Sequence, residues 1–125
     1  MREILFRGKD LESGEWVEGA YFPQNDTYPA TIFVGKRHSI GHYVDENTVG
    51  QYTGLTDKNG TKIFEWDILQ RDDECKWVVS FHKVMFAAQR YKYPIHRLST
   101  QYWCKHSVIG NIHDNPELAK EKGRG

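Results

Sequence analysis

Two carboxylates, Glu65 and Asp67, flank Trp66 immediately before the apolar pair Ile68-Leu69. A pair at this spacing could hold a divalent cation or divide acid and base duties. It could equally serve the backbone, since an aspartate at the mouth of a strand accepts hydrogen bonds from the N–H groups of its own turn. Turn carboxylates are common and no third group completes a site, so Asp67 is expected to cap backbone rather than bind Mg²⁺. Glu74-Cys75-Lys76 has the Glu-x-Lys spacing of metal-dependent nucleases, in which the carboxylate holds Mg²⁺ and the lysine helps to activate water. With Asp67 it makes a nuclease a remote alternative, because such tripeptides arise by chance in most chains of this length.

Six histidines (His38, His42, His82, His96, His106 and His113) and two cysteines (Cys75 and Cys104) raise the question of zinc. The cysteines lie far apart, neither belongs to a Cys-x-x-Cys, and Cys104-Lys105-His106 is too tight for the usual ligand pair. The plainer expectation is buried, reduced cysteines and surface histidines. A phosphate-cradling glycine loop, a Gly-x-Ser-x-Gly elbow and a His-Glu-x-x-His pair are all missing, which disfavours the enzyme classes they mark. No catalytic residue, metal or cofactor is expected.

Charge is the stronger signal. The 125 residues hold 17 basic and 17 acidic side chains, yet residues 1–74 carry 8 basic and 14 acidic, net −6, whereas residues 75–113 carry 6 basic and no acid, net +6. Within that acid-free run the cations alternate with Trp77, Phe81, Phe86, Tyr91, Tyr93, Tyr102 and Trp103, a composition suited to neutralising phosphates and stacking bases. Arg90, Lys92, Tyr93, Arg97 and Lys105 are the candidate binding residues. The competing reading has Trp77, Phe81 and Phe86 in the core and the basic strands lying against the acidic N-terminal part, within one chain or between subunits. A net charge of zero gives no long-range pull on nucleic acid and favours that reading slightly.

The elements that would position these groups read as short strands closed by turn residues, so the fold class is all-β and mainly antiparallel, barrel-like or made of two interlocked small lobes, with a short C-terminal helix. Residues 4–6 and 16–21 flank the loop chemistry of 10–14 and predict a first hairpin. Residues 23–29 are a polar excursion expected to be a mobile loop. Short strands follow at 30–34, 42–44 and 48–53. The clearest local signal is Asp57-Lys58-Asn59-Gly60, which predicts a hairpin from Tyr52 to Phe64 with Gly60 at positive φ. Trp77, Val79 and Phe81 alternate with Val78, Ser80 and His82 as a half-buried strand does. Residues 84–91 fit either a helical turn or a strand, and the strand is preferred. A last strand at 108–112 leads to a helix start with Asn115 as cap and Pro116 at the first helical position. The chain is expected to be one domain, 1–125, with lobes at 1–71 and 72–125 as an option where the charge changes sign. Met1-Arg2-Glu3 does not open a signal peptide and no run is long enough to span a membrane, so a cytoplasmic location without membrane contact is expected. On that footing the two Asn-x-Thr triplets, at Asn25 and Asn59, mean little.

The stretch from Thr48 to Ile68, which includes Gln51-Tyr52-Thr53-Gly54 and Asp57-Lys58-Asn59-Gly60, resembles the central signature of the YopX family of small proteins from phages and prophages of Gram-positive bacteria. Ile4-Leu5-Phe6-Arg7, Trp16-Val17-Glu18-Gly19 and the block Val108-Ile109-Gly110-Asn111-Ile112-His113-Asp114-Asn115-Pro116-Glu117-Leu118 are similar to its flanking blocks. The signature positions are therefore Gln51, Tyr52, Thr53, Gly54, Asp57, Asn59, Gly60, Glu65, Asp67, Gly110 and Asn111. Trp66 stands where the family usually has Gly, which removes the sequence sign of a left-handed backbone there. The resemblance implies an all-β protein of a bacterial host cell and carries no catalytic residues with it. The expected function is a small binding module that contacts nucleic acid or a nucleic-acid-handling protein, the alternative being a protein-interaction or self-assembling module, including a homo-oligomer.

Overall fold

The computed structural model describes residues 4–35, 40–71, 76–82, 85–89, 95–97 and 104–119. It contains ten strands: β1 Phe6–Asp10, β2 Trp16–Phe22, β3 Thr31–Val34, β4 Ile40–Thr56, β5 Lys62–Phe64, β6 Asp67–Gln70, β7 Trp77–His82, β8 Met85–Gln89, β9 Ile95–Arg97 and β10 Ser107–Asn111. A single helical turn, α1, spans Pro116–Ala119. The protein is therefore all-β and antiparallel with a short C-terminal helix, as its pattern of apolar runs and turns predicts. Among the described residues no helix is long and apolar enough to cross a membrane.

The chain forms two compact units, Met1–Tyr52 and Thr53–Gly125. The charge reverses within the second unit, well past the division between the two.

In the first unit β1 pairs with β2, β2 with β3, β3 with β4, and β4 returns to β1, so the four strands close into a ring. Closure reduces the free sheet edges that would otherwise invite pairing with another chain. It depends on an irregularity in β4. Arg7 pairs with Gly50 but Lys9 pairs with Asp45, so β4 spends extra residues against β1. The sequence reads these as two short strands, and the structure joins them into one of 17 residues. The extra residues are held inside the strand by their own polar atoms. Asn47 N–H donates to Asp45 Oδ1 (3.0 Å), the Thr48 hydroxyl donates to Asp45 O (2.6 Å), and Lys9 N–H donates to Thr48 Oγ1 (2.9 Å). Such a bulge bends the strand and strengthens its twist, which lets one strand serve both β3 and β1. Ala30, Ile32 and Val44 form the buried core of the ring, with Phe6, Val17, Tyr21, Val34 and Val49 packed around them.

In the second unit a sheet ordered β10-β6-β7-β8-β9 surrounds Ile63, Leu69, Trp77 and Val79. Residues 84–91 contribute β8, in line with the strand reading. Trp77 and Val79 face the core as the alternation predicts, but Phe81, two residues on, is 48% exposed, since it lies past the end of this buried cluster. His106 also departs from expectation: it is fully buried rather than at the surface. At α1, Asn115 occupies the cap position and its carbonyl accepts Leu118 N–H (3.0 Å). Its side-chain oxygen, however, turns back to accept Asn111 N–H (3.2 Å).

Candidate functional site

The signature residues are built into the framework. The hairpin from Tyr52 to Phe64 forms between β4 and β5, with Gly60 at φ 83° as the Asn-Gly pair predicts. Asp57, 5% exposed, is its anchor. Oδ1 accepts Asn59 N–H (2.8 Å) and Thr61 N–H (2.9 Å), while Oδ2 accepts Val108 N–H (2.9 Å) from β10. One carboxylate thus closes the turn and ties it to a strand far away in sequence. Lys58 N–H reinforces the tie by donating to the carbonyl of His106 (2.9 Å). Thr53 donates its hydroxyl to Ile63 O (2.8 Å) and accepts Leu55 N–H (3.1 Å). Tyr52 N–H donates to Leu5 O, Gln51 pairs with Phe6 on β1, and Gly54 has φ 90°.

Asp67 is 1% exposed and its Oδ2 accepts Phe64 N–H at 2.7 Å, the backbone cap the sequence predicts. The intervening Trp66 brings a correction. Losing glycine at this position removes the sequence sign of a left-handed turn, yet Trp66 adopts φ 77°. Both of its backbone groups are engaged, with Trp66 N–H donating to Val79 O (2.8 Å) and Trp66 O accepting Ile112 N–H (3.0 Å). These bonds, together with the Asp67 cap, impose the turn on a side chain that disfavours it by about 1–2 kcal/mol. Gly110 and Asn111 lie in β10, where they pair with Ile68 and Asp67. Asn111 Oδ1 accepts His113 N–H (3.0 Å) and Asp114 N–H (2.9 Å), so it too serves a turn.

Of the candidate binding residues in the acid-free run, Arg90, Lys92 and Tyr93 lie outside the described residues. Arg97 is on β9, opposite Ala87, and Lys105 is exposed in the turn before β10. Glu74 and Cys75 of the nuclease-like tripeptide also lie outside the described residues, while Glu65 is half-buried in the Trp66 turn. Cys104 is exposed rather than buried. Among the described residues, no three His, Cys, Asp or Glu side chains come together in a way that could hold a metal ion.

A concave surface of the first unit lies elsewhere, over the outer face of β2, β3 and β4. Cross-strand registers set Phe22, Thr31 and Tyr43 in one row and Ala20, Phe33 and Gly41 in the next. Residues directly opposite on paired strands share a face, and Ile32 and Val44, one position along, point into the ring. The groove above these rows has a volume of about 480 Å³, within the range of sites that accept small ligands or peptide side chains. Its floor depends on Gly41. A Cβ there would lie 2.8 Å from Cε1 of Phe33, so only glycine lets that ring lie across β4. Phe22 meets Phe33 edge to face, with ring centroids 5.2 Å apart.

The 23–29 loop, read from sequence as mobile and polar, is the groove's wall, and it contributes Pro23, Asn25, Tyr28 and Pro29 to the lining. It has a built turn. Asn25 Oδ1 accepts both Thr27 N–H and Tyr28 N–H at 2.8 Å, and Asn25 N–H donates to Tyr28 O (3.0 Å). The Thr31 hydroxyl donates to Pro29 O (2.9 Å) and is buried beneath. The aromatic rings stay open to solvent: Phe22 is 55% exposed, Tyr28 58% and Tyr43 48%. Among the described residues no lysine, arginine, aspartate or glutamate lines the groove, although Asp26 lies in its wall loop.

On β4, His42 Nδ1 donates to Asp10 Oδ2 at 2.7 Å, while Asp10 Oδ1 accepts the N–H groups of Glu12 (2.7 Å) and Ser13 (3.1 Å). The Ser13 N–H above all, then the His42 bond and the Glu12 N–H, hold the Asp10 carboxyl below its ordinary pKa. The Tyr21 phenol is pushed up, chiefly by burial and secondarily by the negative charge of Glu46. On another part of the ring Arg7 and Lys9 flank the indole of Trp16, at 4.6 and 5.5 Å from its ring centroid.

The first unit is thus a strand ring carrying an aromatic groove, and in the second one hairpin aspartate ties a turn to a distant strand. The sequence profile of the YopX protein family matches residues 5–120, and the chain belongs to that family. No curated protein matches the sequence. Among solved structures, the crystal structure of protein EF1440 from Enterococcus faecalis is similar, with a TM-score of 0.61 and 24% identity over 95% of this chain and 99% of that one. At that identity the likeness speaks to the fold alone.

Proposed function

We propose that the protein is a non-enzymatic binding module that takes hold of a partner through the aromatic groove of its first unit. The observation that carries this reading is the exposure of Phe22, Tyr28 and Tyr43 around a concave surface whose supporting loop and strands already have their hydrogen bonds made. Rings held open on a rigid frame lose little entropy on contact, which is why aromatic residues dominate binding surfaces. The phage or prophage setting that the family resemblance implies suits an accessory protein of this kind.

A second reading is favoured by the acid-free run 75–113: contact with nucleic acid or a nucleic-acid-handling protein through Arg90, Lys92, Tyr93, Arg97 and Lys105. Affinity capture from cells of the bacterial host, with and without nuclease treatment, tests both. Partner capture lost in Tyr28→Ala/Tyr43→Ala and insensitive to nuclease supports the groove. Capture lost in Arg90→Glu/Lys92→Glu and sensitive to nuclease and salt supports the basic run instead. Sedimentation of the isolated protein at low and high salt tests the remaining class, self-association through opposed charge.

A further inference from the structure

We infer that the groove's ligand is an extended, proline-containing peptide segment with a basic residue, presented by a partner protein. This rests on the groove being the binding surface, as proposed above, and adds the chemistry of what enters it.

The mode of contact follows from the strand pairing. The groove lies over the outer face of β2, β3 and β4, so a chain seated in it meets the side chains of those strands rather than their backbone edges. Recognition at the groove must then run through side chains, and those on offer are flat or ridged and apolar: Phe22, Phe33, Tyr28, Tyr43 and the two prolines. Surfaces of this composition complement a polyproline II segment, whose pyrrolidine rings fit between aromatic faces and whose conformation is set before binding. A polyproline II backbone also makes no internal hydrogen bonds, so its carbonyls need donors. In the groove wall the Asn25 side-chain oxygen and the Thr31 hydroxyl are committed to the turn, and the Asn25 side-chain N–H groups and the phenol hydroxyls of the exposed Tyr28 and Tyr43 are the donors that can supply them.

The sign of the ligand's charge follows from what surrounds the rings. A nucleic-acid strand would need cations to neutralise its phosphates, and the described residues of the lining include none. Asp26 lies between the lining residues Asn25 and Tyr28, and residues 1–52 carry 8 acidic against 5 basic side chains, net −3. That field favours a cation next to the prolines and disfavours an acid there.

The test is a titration of the isotopically labelled full chain, followed by amide NMR, with four probes of similar length: a Pro-Pro-Arg repeat peptide, a Pro-Pro-Glu repeat, a Gly-Ser-Arg repeat and an oligothymidylate. The Pro-Pro-Arg peptide is expected to shift the amides of Asn25, Tyr28, Thr31 and Gly41 and to bind about tenfold or more tightly than the other three. Tyr43→Ala should weaken it by about tenfold, and Asp26→Lys should narrow the gap between the arginine and glutamate peptides. Tyr28→Ala serves as a second variant should Tyr43→Ala perturb the dispersed spectrum of the folded chain. Equal binding of the Gly-Ser-Arg peptide reduces the effect to charge and overturns the proposal. So does a stronger response of the groove amides to the oligothymidylate, or no response of those amides to the Pro-Pro-Arg peptide at millimolar concentration. If cellular capture still depends on Tyr28 and Tyr43 in that last case, the peptide class fails while the groove remains a binding surface. If that dependence is absent too, both readings fall.

Discussion

Around Asp57, in the second unit, a single buried carboxylate accepts three backbone N–H groups drawn from a turn and a distant strand. Around Tyr43, in the first, polar atoms are tied up in a local loop turn while three aromatic rings stand about half exposed. The loudest sequence motif thus encodes framework, and the proposed partner surface lies in a stretch that carries no motif. A hydrogen-bonded hub tolerates little change, because removing the shared acceptor breaks three bonds at once. A ring standing in solvent can be removed with little effect on the fold.

The sharpest way to break this contrast is Asp57→Ala. Three part-buried bonds are lost, at roughly 1 kcal/mol each, so a loss of about 3 kcal/mol is expected in urea unfolding. A loss below about 1 kcal/mol would mean that the hairpin is not the anchor its geometry suggests. Gly60→Val comes next. Nothing lies within 4 Å of a Cβ built there, so only the positive φ resists the change, and about 1–2 kcal/mol should be lost. Trp66 is the cleanest probe of stored strain. Both Trp66→Gly and Trp66→Ala lose the indole, but only alanine keeps the left-handed penalty, so the glycine variant should be the more stable of the two by about 1 kcal/mol. The reverse order would show that the turn relaxes once the indole is gone.

On the other side of the comparison, Tyr28→Ala and Tyr43→Ala should each change stability by no more than about 0.5 kcal/mol while partner capture is lost. The smallest effect belongs to Asp10. Its folded pKa is depressed, so its contribution to stability is present above the ordinary aspartate value and fades as pH falls through the folded value. The difference in Tm between wild type and Asp10→Asn should therefore be present at neutral pH and shrink below the aspartate range. A difference that stayed constant into acid would assign the effect to something other than the carboxylate.

Local chemistry made much of the fold legible. Asn59-Gly60 announces a turn because glycine alone adopts positive φ without strain, and the alternation at Trp77 and Val79 announces a buried face because successive side chains point opposite ways. Asp67 could be read as a backbone cap from its place before Ile68. Trp66 could not be read, because its left-handed backbone is imposed by bonds to Val79 and Ile112, both remote in sequence. The end of the buried face at Phe81 was likewise invisible, since alternation says which side a residue faces and not where its covering stops.

By itself, the sequence determined strands, turns and the order in which they follow, because these answer to neighbours within a few residues. It also determined the charge division between residues 1–74 and 75–113, which is plain counting. Only tertiary structure decided that β4 continues through the Asp45 to Thr48 bulge to close on β1, since that pairing joins segments that no local rule connects. The groove waited on the same event. Phe22, Phe33 and Tyr43 are apolar residues on three strands, and nothing in their own identity says whether they face core or solvent. Ring closure settles it by filling the interior with Ile32 and Val44, which leaves the alternate positions outside.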